Sequence, residues 1–309
     1  MSELFGLIRS RNIVLTEGAF FDRYKRIPGV KFDDFAGPGC GLYDQASRQV
    51  IQEIHGEYLQ IARDHQLPAL LLADTWRANR ERTKKSGLPE TINQDAVNLL
   101  LTLEPQKNNF FIAGQIGPRG DCYSPEVALT REESRDFHEW QVRELSQTKI
   151  DILLISTFPA LGEAQGVADL AAKYSIPYLV SFVVRRAGTL LDGTPLDQAF
   201  RAIEATQPAG PVGLYCNCTH PRNLLEALAR YQPEVGLKIA GFQGNVSRLE
   251  PEEFATSDTI QSDDFSDFIQ AVLELRKKYK IPIIGGCCGT DGKHLAHIAE
   301  GLKQSPDID

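Results

Sequence analysis

The feature that most constrains this chain is a regular alternation of short apolar segments with segments of helical spacing. Eight apolar segments recur, and each is followed by a helical segment. The predicted strands are Asn12–Thr16, Ala69–Ala73, Asn109–Ala113, Asp151–Ile155, Pro177–Phe182, Val212–Tyr215, Leu237–Ala240 and Ile281–Ile284. Because each helical connection returns the chain to the same end of the sheet, the strands should be parallel.

Successive strand–helix units of this number favour an α/β fold of the (β/α)8 TIM-barrel type. A length of 309 residues suits one such barrel, and no linker rich in Pro, Gly or Ser divides the chain. An open, doubly wound sheet is the alternative, although such sheets seldom have this many parallel strands in regular succession. We therefore expect a single domain over residues 1–309.

The charge balance and the hydropathy narrow the class of partner. A net charge of −8 argues against a nucleic-acid or anionic-membrane surface and favours a small-molecule ligand. No apolar run approaches the roughly 18 residues of a membrane span, and residues 1–12 lack the apolar core of a signal peptide. We expect a cytoplasmic protein whose six cysteines are metal ligands or core thiols rather than disulfides. The oligomeric state stays open.

Three cysteines follow predicted strands. Cys218 follows the sixth strand, and Cys287 and Cys288 follow the eighth, after two glycines. Because the active site of a barrel lies at the C-terminal ends of its strands, the three thiols should converge there. Three protein ligands and one open position are typical of a catalytic zinc site. A single cysteine is more often a core residue, but the adjacent pair and the third strand-end cysteine together favour Zn²⁺.

Several other residues are less specific candidates. Strand alternation should place Cys216 on the same face as Cys218, near the site but not as a fourth ligand. His55 lies on a predicted helix, and we expect a surface or packing residue there rather than a ligand. Trp76 and Phe182 are candidate neighbours of a positively charged methyl donor, although aromatic residues near strand ends more often belong to the core.

The motif Asn217-Cys218, together with the segment Gly285–Thr290, resembles the zinc signature of the homocysteine S-methyltransferase family, which includes betaine- and S-methylmethionine-dependent enzymes. Further matching segments extend over nearly the whole chain: Glu17-Gly18, His55 with Tyr58, Asp74-Thr75-Trp76, Gly114–Pro118, Glu163-Ala164, Ser181-Phe182 and Asp192–Thr194. The resemblance implies transfer of a methyl group from a small onium donor, S-methylmethionine or S-adenosylmethionine, to the zinc-bound thiolate of homocysteine, giving methionine. It implies no catalytic side chain, because zinc activates the substrate thiol.

The resemblance also implies a substrate site. Its residues are Glu17, Gly18, Asp74, Ser156 and Asn245. Glu17 stands where the family usually has aspartate, and Ser156 stands where it usually has a glutamate that helps to hold the amino group of homocysteine. The segment Gly241–Val246 replaces a substrate-contacting segment of relatives. The alternative is therefore a zinc-binding barrel of the same family that acts on a different thiol or lacks homocysteine methyltransferase activity.

Overall fold

The computed structural model describes residues 3–207, 209–255 and 263–304, and its strands form one closed parallel barrel. The strands are β1 (Val14–Thr16), β2 (Ala69–Leu72), β3 (Phe110–Ile116), β4 (Ile152–Phe158), β5 (Tyr178–Phe182), β6 (Gly213–Thr219), β7 (Ile239–Gly244) and β8 (Ile283–Gly286). They pair in chain order, and β8 pairs with β1 to close the barrel. The predicted (β/α)8 barrel is confirmed, and the open-sheet alternative is wrong. The predicted domain includes residues 1–2, 208, 256–262 and 305–309, which lie outside the described residues.

Helices surround the barrel. They are α1 (Glu3–Arg9), α2 (Phe20–Lys25), α3 (Gln45–Asp64), α4 (Arg80–Lys85), α5 (Ile92–Leu101), α6 (Arg131–Ser146), α7 (Leu161–Lys173), α8 (Leu196–Glu204), α9 (Pro221–Leu228), α10 (Pro233–Leu237), α11 (Pro251–Ala255), α12 (Phe265–Tyr279) and α13 (Gly292–Gln304). Side-chain caps begin the longer ones: Asp44 caps α3, and Thr130 forms a capping box with Glu133 at α6. None of the helices in the described ranges is both long and apolar enough to cross a membrane.

The core has two layers, because alternate strand residues face opposite sides of the sheet. One layer fills the barrel interior, where Leu4 and Ile8 of α1 join the inward-facing strand residues. Arg11, just after α1, donates to the carbonyl of Ile239 at the start of β7, so α1 closes the N-terminal end of the barrel. The second layer lies between the barrel and the helices. The C-terminal end of the barrel is therefore available for a ligand site.

Two strands are irregular at that end. The pairing of β4 with β5 slips around Thr157, and the pairing of β6 with β7 slips around Cys218. The backbone φ is 65° at Thr157 and 53° at Cys218, in the left-handed region that residues other than glycine rarely adopt. Such conformations cost about 1–3 kcal/mol each and concentrate at functional sites. A bulge also redirects the side chains that follow it.

Candidate active site

A cavity of about 500 Å³ opens at the C-terminal end of the strands, a volume within the range of small-molecule sites. The predicted site residues that line it are Glu17, Gly18, Asp74, Ser156, Cys218, Cys287 and Cys288. Asn245 does not line the cavity, and its assignment to the substrate site stays a prediction. Of the two candidate aromatic neighbours, Trp76 lines the cavity, whereas Phe182 is buried between the barrel and the helices.

The three strand-end cysteines come together at one side of this cavity. The Sγ atom of Cys288 lies 3.9 Å from that of Cys218 and 3.9 Å from that of Cys287. Cys218 and Cys287 form a disulfide in the structure, with their Cα atoms 5.6 Å apart, so the prediction that the cysteines are not disulfide-bonded is wrong for this pair. Within the described residues, this trio is the one group of three potential ligands whose ligand atoms all lie within 4.8 Å of one another.

The chemistry of this donor set fits a zinc ion. Thiolates at about 2.3 Å from a tetrahedral ion are separated by about 3.8 Å, which matches both distances from Cys288. The disulfide between Cys218 and Cys287 must be reduced to two thiols before both sulfur atoms can bind an ion. Burial raises the pKa of the Cys288 thiol, and the nearby Asp22 carboxylate raises it further, so a cation is needed to hold this thiol as a thiolate. Zinc is the soft, non-redox cation suited to that position.

The bulge in β6 overturns the prediction that Cys216 and Cys218 share a face. Cys216 is fully buried between the barrel and the helices, whereas Cys218 lines the cavity. Alternation alone would send both thiols outward, but the left-handed backbone at Cys218 redirects its side chain. Burial raises the pKa of the Cys216 thiol, which leaves it a neutral core residue.

A buried histidine joins two carboxylates on the cavity floor. The ring of His55 is fully buried, with Nδ1 3.1 Å from Oε2 of Glu17 and Nε2 3.4 Å from Oδ2 of Asp74. Burial opposes the charged ring, but the Glu17 and Asp74 carboxylates outweigh it and raise the pKa of His55 to about 10. Burial also raises the pKa of both carboxyl groups. His55 is therefore a packing residue, stacked on Phe20 at 4.5 Å, and the prediction of a surface position is wrong because α3 carries its ring beneath the two cavity carboxylates.

Ser156 lies in a polar network without charge. Its hydroxyl is 3.1 Å from that of Thr157, and its carbonyl accepts a hydrogen bond of 3.1 Å from the indole of Trp76. The amide of Asn217 donates to the hydroxyl of Thr157 at 2.7 Å and accepts from that of Ser181 at 2.6 Å. This network holds the ends of β4, β5 and β6 together. Among the described residues, no carboxylate or basic side chain takes part in it.

The end of β7 and the turn that follows it support the thiol cluster, and Gln243 also lines the cavity. The side chain of Gln243 donates to the carbonyls of Gly286 at 3.1 Å and Glu17 at 3.3 Å, which fixes the ends of β8 and β1. The side chain of Asn245 accepts from the amide of Ser247 and so stabilises its own turn. Sequence reasoning missed Gln243, because a glutamine inside a strand has no distinctive signal.

The loop after β3 forms a roof over the cavity. Cys122 and Tyr123 line the cavity, and the ring of Tyr123 packs edge-on against Phe254 of α11 at 6.0 Å. Burial and the neighbouring Cys288 thiol raise the pKa of Tyr123. Glu163 of α7 holds the loop by accepting hydrogen bonds from the backbone amides of residues 119 and 129. The ring of the buried His138 lies 3.0 Å from the same carboxylate.

Comparison with known proteins identifies the family of the chain. A family model described as homocysteine S-methyltransferase matches residues 28–302. The chain belongs to the homocysteine S-methyltransferase family. The resemblance seen in the sequence and the prediction of a methyltransferase enzyme are thereby confirmed.

Individual homocysteine S-methyltransferases are distant in sequence. YbgG from Bacillus subtilis (strain 168) is 20% identical, and the match covers 88% of this chain and 92% of the relative. Homocysteine S-methyltransferase 4 from Zea mays is 21% identical, with coverage of 83% and 80%. Among solved structures, the metallated form of the homocysteine methyltransferase MmuM from Escherichia coli has a TM-score of 0.76 at 21% identity and covers 97% of this chain and 99% of that chain. That likeness supports the barrel fold.

Proposed function

We propose that this homocysteine S-methyltransferase family member is a zinc-dependent enzyme that transfers a methyl group from a small onium donor to the thiol of homocysteine, giving methionine. The observation that carries the proposal is the convergence of three cysteine sulfurs beside buried carboxylates in one small-molecule cavity. Membership of the family supports the same acceptor and the same reaction class.

In this proposal Cys218, Cys287 and Cys288 hold the metal. A bound zinc ion would act as a Lewis acid that keeps the acceptor thiol in its nucleophilic thiolate form at neutral pH. The protein fixes the three ligands from both sides: the amide of Asn217 points to Cys218 Sγ at 3.8 Å, and Gln243 anchors the end of the strand that leads to Cys287. Glu17, Gly18, Asp74 and Ser156 are proposed to surround the bound acceptor.

The cavity walls favour a positively charged methyl donor. Trp76, Tyr123 and Phe254 provide aromatic surface, and aromatic rings attract onium methyl groups by about 0.5–2 kcal/mol. Methyl transfer from an onium ion to a thiolate neutralises opposite charges, so a cavity that excludes water favours the reaction. We therefore propose S-methylmethionine or S-adenosylmethionine as the donor. We also propose a cytoplasmic setting, where the cysteine ligands stay reduced.

One observation favours a second candidate function. Ser156 offers no negative charge at the end of β4, where it faces the cavity. A zinc-bound barrel that acts on a thiol without an amino group would suit this residue. Zinc binding is common to both candidates, and homocysteine binding separates them.

The first experiment measures zinc per chain under reducing conditions in the wild type, in Cys288→Ser and in Cys122→Ser. Cys122 lines the same cavity but lies outside the cysteine trio, so it is the matched control. We expect one zinc per chain in the wild type and the control, and a loss of most zinc in Cys288→Ser. L-homocysteine is then added, and the zinc coordination is followed by X-ray absorption.

A new sulfur ligand on zinc, followed by methionine formation with either donor, would support the proposal. One zinc per chain, with a coordination that does not change when L-homocysteine is added, would favour the second candidate. Full zinc content in Cys288→Ser would contradict the assignment of the ligands.

A further inference from the structure

The inference concerns the buried carboxylate of Asp74. Its side chain is only 7% exposed and lines the cavity. Oδ2 has a single contact, with Nε2 of His55 at 3.4 Å, and Oδ1 has no hydrogen-bond partner within residues 3–207, 209–255 and 263–304. A carboxylate that faces a cavity and has an oxygen without a protein partner is a candidate ligand contact.

Glu17 is better satisfied than Asp74. Its Oε2 atom lies 3.1 Å from Nδ1 of His55 and accepts a hydrogen bond of 3.2 Å from the amide of Leu72. Its side chain is 3% exposed, less than that of Asp74. Of the two carboxylates on the cavity floor, Asp74 is thus the more open to a ligand and the less compensated by the protein.

The charges around this floor leave room for a cation. When Glu17 and Asp74 are both ionised, the imidazolium of His55 faces two carboxylates, which leaves one negative charge without a cationic partner. The two basic side chains that line the cavity are directed elsewhere. Arg77 stacks on Phe21 and Trp76, and Lys25 lies over the ring of Phe32. Neither forms an ion pair with Asp74 in the described part of the chain.

We propose that Asp74 binds the ammonium group of an amino-acid thiol whose sulfur reaches the cysteine trio, and so determines specificity for an amino-acid acceptor. The proposal rests on the proposed function and deepens it. Asp74 supplies the negative charge that Ser156, on the same cavity wall, lacks. Glu163 cannot do so, because it is fully buried against His138 and the roof loop.

The test compares two thiols that differ only in the amino group, L-homocysteine and 4-sulfanylbutanoate. Both are titrated into the reduced protein loaded with cobalt(II), and binding is read from the sulfur-to-cobalt absorption band. Asp74→Asn is expected to weaken L-homocysteine binding about 10- to 100-fold, the value of a hydrogen bond to a charged group. The affinity for 4-sulfanylbutanoate should change less than about threefold, because this thiol has no ammonium group for the Asp74 carboxylate to bind.

Two further variants guard against misfolding and a general charge effect. Asp74→Glu retains the carboxylate and should recover most of the L-homocysteine affinity. Asp34→Asn removes one charge from an exposed residue that does not line the cavity and whose backbone carbonyl accepts from Arg77, and it should leave both affinities unchanged. Cobalt content and thermal unfolding are measured for every variant.

The outcomes separate the two proposals. If wild-type protein shows the sulfur-to-cobalt band with L-homocysteine and Asp74→Asn binds it equally well, the role of Asp74 is refuted while the proposed function stands. Equal weakening of both thiols would make Asp74 a structural residue and also refute the inference. If neither thiol gives the band in the wild type, the proposed function fails, and the assignment of Asp74 fails with it.

Discussion

Glu163 gives the sharpest test of how the protein builds its cavity roof. The fully buried carboxylate of Glu163 accepts from the amides of Arg119 at 2.7 Å and Leu129 at 3.2 Å, and lies 3.0 Å from Nε2 of His138. Glu163→Gln keeps the shape but replaces one acceptor oxygen by a donor NH2 group. In either orientation of the amide, at least one end of the loop then loses its acceptor.

The expected cost follows from these contacts. Leaving a buried donor unsatisfied costs about 1–3 kcal/mol, and weakening the contact with the His138 ring adds to it, so we expect about 3 kcal/mol of lost stability. With an unfolding entropy of about 2.1 cal/mol/K per residue, a chain of 309 residues should lose about 5 °C in Tm. The loosened roof should also raise the KM for the methyl donor, with zinc content unchanged.

Differential scanning calorimetry and steady-state kinetics provide the assay. The matched control is Glu139→Gln on α6, where the Glu139 side chain is 42% exposed and pairs with Lys173. Exposed pairs contribute little, so the control should shift Tm by less than about 1 °C. An unfolding midpoint for Glu163→Gln within about 1 °C of the wild type, together with an unchanged KM, would refute the reasoning.

Two further predictions follow from the site. The pKa of His55 is raised to about 10 from its ordinary 6.5, so the stability from its charged ring should be complete below pH 6.5 and be lost as the pH rises through about 10. Urea unfolding between pH 6 and 10 should show this loss in the wild type but not in His55→Gln. The same pH dependence of the unfolding free energy in both proteins would contradict the prediction. A Cβ at Gly117 would lie 2.5 Å from Nε1 of Trp76, so Gly117→Ala should displace the indole from the carbonyl of Ser156, change the tryptophan fluorescence and weaken acceptor binding. The control is Gly56→Ala in α3, where an added Cβ would meet no atom within 4 Å, and it should stabilise the helix by about 0.5–1 kcal/mol. A wild-type fluorescence spectrum in Gly117→Ala would count against this role of Gly117.

The barrel could be predicted from the sequence because its parallel strands are buried on both faces. Such strands appear as short apolar runs, and a helix must follow each of them. The same regularity predicts which residues lie at the C-terminal strand ends, and Glu17, Asp74 and the three cysteines do line the cavity. Positions that depend only on the order of the strands were therefore accessible from the pattern.

Positions that depend on a local irregularity of the backbone, or on how far a side chain extends, could not be predicted from the sequence pattern. The residue types of Thr157 and Cys218 do not predict a left-handed backbone, because neither residue is glycine or asparagine. Alternation consequently placed Cys216 on the same face as Cys218, which is wrong, whereas the convergence of Cys218 with the other two cysteines is confirmed. His55 lies on a helix outside the barrel, and only the packing of α3 against β2 brings its ring between two carboxylates.

The irregular ends of β4 and β6 explain why an asparagine precedes Cys218, the first cysteine of the trio. The two left-handed residues, Thr157 and Cys218, lie on strands that flank β5, and the side chain of Asn217 spans all three strands. Its NH2 group donates to the hydroxyl of Thr157, while its oxygen accepts from the hydroxyl of Ser181. A carboxamide offers a donor and an acceptor on separate atoms of one short group, which an ionised aspartate and a leucine do not. Asn217 therefore holds two strained backbone positions in one network and fixes the direction of the thiol that follows it.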